Sequence, residues 1–147
     1  MSSPILPSMN TPNLSTKSPL RRFPMPTLDG PPLPFSEAVQ HGNTLYLSGQ
    51  IGTQPGTLTL AHGGIGPESR QAIENLKSAL VRHGSSLGQV IKCTIFLADI
   101  AEWEAFNAVY MEFFRDHLPA RSALSSSGLA LGARVEVECI AAISSFY

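Results

Sequence analysis

The run Gln89-Val90-Ile91-Lys92-Cys93-Thr94-Ile95-Phe96-Leu97 decides the fold. It is apolar and β-branched along most of its length, the composition of a strand buried within a sheet. Just beyond it, Asp99 and Glu102 stand at the spacing of a capping box and predict a helix start. Trp103, Phe106, Tyr110 and Phe113 then recur on one helical face, and the helix must stop before Pro119. Strands over residues 122–127 and 134–142 complete that half of the chain. Toward the N-terminus, Ile73, Leu76 and Leu80 mark an earlier helix. Pro67 suits its first position, Glu68 the positive end of its dipole, and Gly84 its C-terminal cap. Residues 37–41 and 44–50 flank a Gly42-Asn43 turn as a hairpin, with residues 57–60 available as a short third strand. The order β-β-(β)-α-β-α-β-β predicts an α+β fold, a mixed sheet with two helices on one face. The other face needs cover, and self-association is the simplest source of it.

At 147 residues, with hydrophobic residues at 43% and charged residues at 14%, the chain has material for a core and a lightly charged surface. A net charge of −1 gives no electrostatic footprint for nucleic acid or an anionic membrane. Cys93 and Cys139 both fall in strand-like runs, outside any disulfide framework, which fits a reducing compartment. No apolar run approaches membrane-spanning length. All prolines except Pro55, Pro67 and Pro119 precede Phe35, so residues 1–30 read as a loosely draped or disordered arm and 31–147 as the domain. The arm has Lys17, Arg21 and Arg22 and no acid before Asp29, the charge pattern of a transit peptide. Its prolines interrupt the amphipathic helix such a peptide needs, and a cytoplasmic location is expected.

Arg121 is the first candidate for chemistry. It follows Pro119 and precedes an alternating strand, Arg134-Val135-Glu136-Val137-Glu138-Cys139-Ile140. Guanidinium is always charged, and its planar fork of donors fits a carboxylate two bonds at a time. An arbitrary arginine is more often an exposed ion-pair partner of little energetic weight. Alternation puts Arg134, Glu136 and Glu138 on one face, so direction does not separate the two acids. Other motifs fail on context. Gly84-Ser85-Ser86-Leu87-Gly88 has nucleophile-elbow spacing, but a helix precedes it and a strand follows, the reverse of what an elbow needs. His62-Gly63-Gly64-Ile65-Gly66 has the look of a phosphate loop but lacks the lysine, and Glu68 would repel a phosphate there. The four histidines are scattered without metal-ligand spacing.

Several stretches, in order, carry a resemblance: Pro34-Phe35-Ser36-Glu37-Ala38-Val39, Gly42-Asn43 with Leu47-Ser48-Gly49-Gln50-Ile51, Asn75-Leu76-Lys77, and the run from Val90 to Asp99. Phe106-Asn107-Ala108-Val109-Tyr110, Pro119-Ala120-Arg121-Ser122 and the run from Val135 to Ala141 complete the set. Together they resemble the RidA family (reactive-intermediate deaminase A, also called YjgF) over about residues 34–142. The resemblance implies a chorismate-mutase-like fold and a homotrimer with sheets facing inward and ligand clefts between subunits. It also implies hydrolysis of 2-imino or enamino acids, of the 2-aminoacrylate type, to 2-keto acids and ammonia without metal or organic cofactor. Arg121 matches the arginine that clamps the substrate carboxylate, and Glu136 the acid that handles the water. Asn107 matches a pocket-lining asparagine, and Gly49 lies where backbone groups shape the cleft. Two positions depart from the pattern. Phe35 stands where many active members have tyrosine, which removes a phenol and makes the cleft more apolar. Ala123 stands where a cysteine is frequent. A relative that binds small carboxylates without turnover, or acts as a chaperone, is one alternative these departures leave open. An enzyme acting on another imine in a specialised pathway is a second. RNA cleavage, attached to some relatives, has no basic stripe to support it.

Overall fold

The computed structural model describes residues 19–26, 28 and 30–144. Six strands form one sheet: β1 (Arg21–Pro24), β2 (Ser36–His41), β3 (Thr44–Ile51), β4 (Val90–Leu97), β5 (Ala120–Ser125) and β6 (Val135–Ala142). Their order is β1-β2-β3-β6-β4-β5, every neighbouring pair antiparallel except β4–β5. The long helices are α1 (Ile65–Arg82) and α2 (Trp103–Phe114). The link through α2 is what lets β4 and β5 run parallel, since a tight turn cannot.

Strand alternation divides the sheet into two faces. Leu45 and Leu47 of β3, Cys93, Ile95 and Leu97 of β4, and Val135, Val137, Cys139 and Ala141 of β6 are buried beneath the helices. From α1, Ala72, Ile73, Leu76, Ala79 and Leu80 pack against β3, β6 and α2. Each fully buried leucine there contributes roughly 2–3 kcal/mol of hydrophobic stabilisation. Tyr46, Thr94, Phe96, Glu136, Glu138 and Ile140 line the opposite face, which no element among the described residues covers.

The architecture is the one expected, with local differences. Arg21–Pro24 fall inside the expected arm yet pair with β2 as an outer strand, because the outward edge of β2 offers unpaired backbone groups. Within the expected arm, residues 1–18, 27 and 29 lie outside the described residues. Residues 57–60 form no strand; a single bridge, Thr53 to Leu60, replaces it. α1 begins at Ile65, with Gly64 as N-cap at φ 89°, so Pro67 sits in the first turn instead of opening it. At the other end, His83 is the cap residue and Gly84 follows it at φ 82°, the left-handed position glycine tolerates.

Asp99 caps a one-turn 3-10 helix, accepting from the Ala101 N–H at 2.9 Å, and Glu102 turns away to Arg134. On α2 the buried residues are Phe106, Val109, Tyr110 and Phe114. Trp103, at the first residue of the helix, is 44% exposed, and Phe113 is only partly buried.

Two buried carboxylates hold the layers together. An extra residue in β2 opposite Phe23–Pro24 turns Glu37 inward, where it pairs with Arg82 and with His83 Nε2 at 2.7 Å. Phe23 stacks on that imidazole, its ring centroid 4.4 Å away. Glu68 accepts the Arg134 N–H at 2.6 Å and so anchors the entry to β6 from α1. Gly52 makes this possible, because a Cβ there would meet Glu68 Cγ at 2.7 Å. Replacing Glu68 by alanine strands the Arg134 N–H. A stability loss of about 2 kcal/mol is expected, read as a lower urea midpoint at fixed protein concentration.

Candidate functional site

Arg121 lies in β5 itself, not ahead of the strand, and β4 determines where it points. Cys93 is opposite Arg121 on one side and opposite Cys139 on the other, so these three side chains share the helix-covered face. β5 is the edge strand, and the Arg121 guanidinium emerges beside α2. Its central carbon stands 4.7 Å from the Tyr110 ring centroid and 6.0 Å from that of Phe106. The ion pairs among the described residues join Arg70 to Glu112, Arg82 and His83 to Glu37, and Arg134 to Glu102; Arg121 enters none of them.

Around this cation is a cleft of about 320 Å³ lined by Asn107, Tyr110, Met111, Leu118, Pro119 and Arg121. Asn107 is one helical turn from Tyr110 and Met111, which places the three on one side of α2. Its Oδ1 is buried and accepts no hydrogen bond. One end of the cleft therefore offers a guanidinium, with the buried Asn107 amide in the wall beside it, and the other offers apolar side chains. Burial pushes the Cys93 thiol up to about 11, while the Tyr110 hydroxyl and the Arg121 charge pull it the other way. Burial and the neighbouring Cys93 also raise the Tyr110 hydroxyl, so both groups remain neutral at physiological pH. The Tyr110 hydroxyl faces that thiol without a well-formed hydrogen bond.

Glu136 is not in this cleft. It pairs with Phe96 of β4 and Ile51 of β3, an odd number of residues from Cys139, so it projects from the open face. A bulge in β3 between Leu47 and Gln50 brings Gly49 against it. A Cβ on Gly49 would meet Glu136 Cδ at 2.7 Å and Cγ at 2.8 Å, so glycine is what lets the carboxylate lie over the backbone. Ser48 donates to the Ser36 carbonyl at 2.6 Å, tying the segment just after Phe35 to this same bulge. Phe35 is half-exposed there.

The expected residues therefore form two groups. Arg121 and Asn107 share one cleft, while Glu136, Gly49 and the neighbourhood of Phe35 lie on the other face. Ala123 follows Arg121 on β5, opposite Ile95, and packs against the core without lining the cleft. Arg134 lies ahead of β6 and pairs with Glu102 at 2.9 Å, so it neutralises neither Glu136 nor Glu138. Tyr110, Met111, Leu118 and Pro119 were not among the expected site residues. Their signal was position, three and four residues after Asn107 and directly before Arg121. Of the rejected motifs, Ser85 is buried and donates to the Ala142 carbonyl at 2.6 Å, a structural bond.

Burial raises the Glu136 carboxyl above its ordinary value, and repulsion from Glu138 on the same face adds to it. Because folding raises this pKa, ionising Glu136 opposes folding. The penalty is absent at low pH and sets in as pH rises through the folded value. Glu138→Gln removes the repulsion and leaves the burial. The Glu136 carboxyl resonance, followed by NMR against pH, is expected to titrate at lower pH in that variant, though still above an exposed glutamate.

Comparison with known proteins places this arrangement. The sequence profile of the family described as Endoribonuclease L-PSP matches residues 30–143. The 2-iminobutanoate/2-iminopropanoate deaminase of Mus musculus is 41% identical over 108 residues, covering 74% of this chain and 80% of the relative. The crystal structure of YEO7 from yeast superposes with a TM-score of 0.79 at 37% identity, covering 86% of this chain and all (100%) of that one. TdcF from E. coli, solved with bound serine, superposes with a TM-score of 0.74 at 30% identity, covering 84% and 100%. With the sheet order, the helix layer and the match running through both halves of the site, the chain belongs to the Endoribonuclease L-PSP family, the RidA/YjgF proteins.

Proposed function

We propose that this chain is a hydrolytic deaminase of small 2-imino and enamino acids, working as a homotrimer. The observation that carries the reading is the Arg121 guanidinium, without an acidic partner among the described residues and set in a cleft lined in part by Asn107. A bidentate bond from Arg121 to the substrate carboxylate fixes one end of the molecule and hence the plane of its C=N bond. Asn107 lines the wall beside the clamp. Water adds to the iminium carbon, the C–N bond of the resulting carbinolamine breaks, and a 2-keto acid and ammonium leave. Iminium carbon is already electrophilic, so one carboxylate acting as base on the water suffices. Glu136 fits that task, since its raised pKa makes it a stronger base than an ordinary glutamate. The deaminase name carried by relatives about 40% identical supports the same reaction, and the serine in the TdcF structure is likewise a small amino acid with a carboxylate.

Within one chain, Arg121 and Glu136 project from opposite faces of the sheet, so the clamp and the base cannot serve the same substrate. The proposed trimer resolves this by setting the open face of one protomer against the Arg121 edge of the next. The open face suits such burial: its hollow of about 320 Å³ is lined in part by Tyr46, Lys92, Thr94, Glu138 and Ile140, a mixed surface with exposed aromatic and aliphatic groups. Each cleft would then take Arg121 and Asn107 from one subunit and Glu136, Gly49 and Phe35 from its neighbour. No described helix is long and apolar enough to cross a membrane. We place the protein in the cytoplasm, a reducing compartment compatible with two buried cysteines, Cys93 and Cys139, outside any disulfide framework.

Imino acids generated in place by an amino-acid oxidase supply the assay, with loss of the imine as readout. Arg121→Ala and Glu136→Gln are each expected to abolish the acceleration while leaving the trimer folded. If the two are unfolded together and refolded as an equal mixture, a wild-type cleft forms wherever a Glu136→Gln protomer supplies the arginine and an Arg121→Ala protomer the acid. That combination arises in about a quarter of random seams, so about a quarter of the wild-type rate should return from two inactive parents. No recovery would place both groups in one subunit's site, and an unaltered rate in the Arg121→Ala parent would reject the deaminase reading.

A further inference from the structure

We infer that Tyr110 is a positioning residue: its ring face holds the Arg121 guanidinium in place without occupying any of its hydrogen-bond donors. The inference rests on the proposal that Arg121 clamps the substrate carboxylate. An arginine at the mouth of a cleft is a long, flexible side chain, and holding it in one rotamer costs conformational entropy. The usual way to fix it is a carboxylate partner, but that partner would compete with the substrate for the same fork and cancel its charge. Here the guanidinium lies 4.7 Å from the Tyr110 ring centroid and within 6.0 Å of Phe106. A ring quadrupole attracts the cation through its face, perpendicular to the plane in which the N–H groups point. The charge is oriented and the edge of the fork stays free.

The surroundings of Tyr110 restrict it to that task. The residue is 4% exposed, and its ring is itself fixed by Phe114, stacked at 4.5 Å, and by Phe106 at 5.8 Å. Its hydroxyl has no hydrogen-bond acceptor, so packing accounts for an aromatic ring at 110 without using the phenol. The ring faces the cation, while the hydroxyl points at the Cys93 thiol beneath. Both Tyr110 and Cys93 remain protonated at physiological pH, so the guanidinium has no anion below it.

The test replaces position 110 by phenylalanine and by a series of fluorinated phenylalanines, which withdraw electron density from the ring face with little change in size. Binding of 2-oxobutanoate and of its neutral amide is measured by calorimetry, alongside kcat and KM for imine hydrolysis and the melting temperature. Tyr110→Phe is expected to bind within about twofold of wild type, because the phenol makes no bond. Progressive fluorination should weaken carboxylate binding in steps, to about tenfold for the fully fluorinated ring, and raise KM with little change in kcat. The amide should bind equally to all. Leu80→Ala, in the core beneath α1 and outside the aromatic row, should lower the melting temperature and leave carboxylate affinity unchanged. Carboxylate affinity that does not follow fluorination, or equal losses for the amide, would overturn the positioning role. Unchanged carboxylate binding in Arg121→Ala would instead remove the clamp itself, so the two failures are separable.

Discussion

The register of β4 is the constraint on which the rest depends. Cys93 faces Cys139 across an antiparallel ladder and Arg121 across a parallel one, so one buried residue sets the facing of both flanking strands. A slip of a single residue in β5 would send Arg121 to the open face and put Ser122 beside α2. Such a slip is opposed by the core, because it would also exchange Ala123, packed under the helices, for Leu124. The orientation of the cation is thus secured by the same alternation that buries Ile95 and Val137, and requires no ion pair of its own.

The same alternation separates the charges of the site. The acids on the open face, Glu136 and Glu138, are neighbours of one sign, and Arg134 is drawn off to Glu102. Unneutralised like charge in a partly buried place keeps a carboxyl basic. On the other face, Arg121 rests on aromatic rings and keeps its full charge. Each half of the site is left electrostatically incomplete. In the proposed assembly, Arg121 and Glu136 meet only across the seam, with substrate and water between them, so assembly and activity depend on the same geometry.

Much of this was legible in the sequence, and the exceptions have physical causes. The strands at 89–97 and 134–142 and both helices follow from period and from Pro119 and Gly84, signals intrinsic to each segment. The strand at Arg21–Pro24 does not, because four residues between prolines acquire strand geometry only from the edge of β2. Residues 57–60 have strand composition but no continuous neighbour to pair with, and one bridge is what remains. Trp103 shares the spacing of the apolar face, yet it stands at the first residue of α2 and is exposed. In the site, Arg121, Asn107 and Glu136 were readable as residue types in a familiar order. That Arg121 and Glu136 point opposite ways was not, because facing is set by pairing with Cys93 and Phe96 on a third strand.

The departures at Phe35 and Ala123 take on meaning from this division. Ala123 packs on the core next to Arg121 and is not among the residues lining the cleft, so a small apolar residue there alters packing more than chemistry. Phe35 lies on the half that carries Glu136, half-exposed and tied to the bulge through Ser36 and Ser48. In the proposed trimer it faces the end of the neighbour's cleft formed by Met111, Leu118 and Pro119. Neither position holds the carboxylate or the water, the two groups hydrolysis requires. The lost phenol is a neutral hydrogen bond worth on the order of 1 kcal/mol, whereas an orienting carboxylate clamp supplies several. In the proposed trimer, an apolar ring beside Met111 and Leu118 would leave the reaction intact and shift preference toward imines with larger apolar side chains, because their burial would offset the missing hydrogen bond.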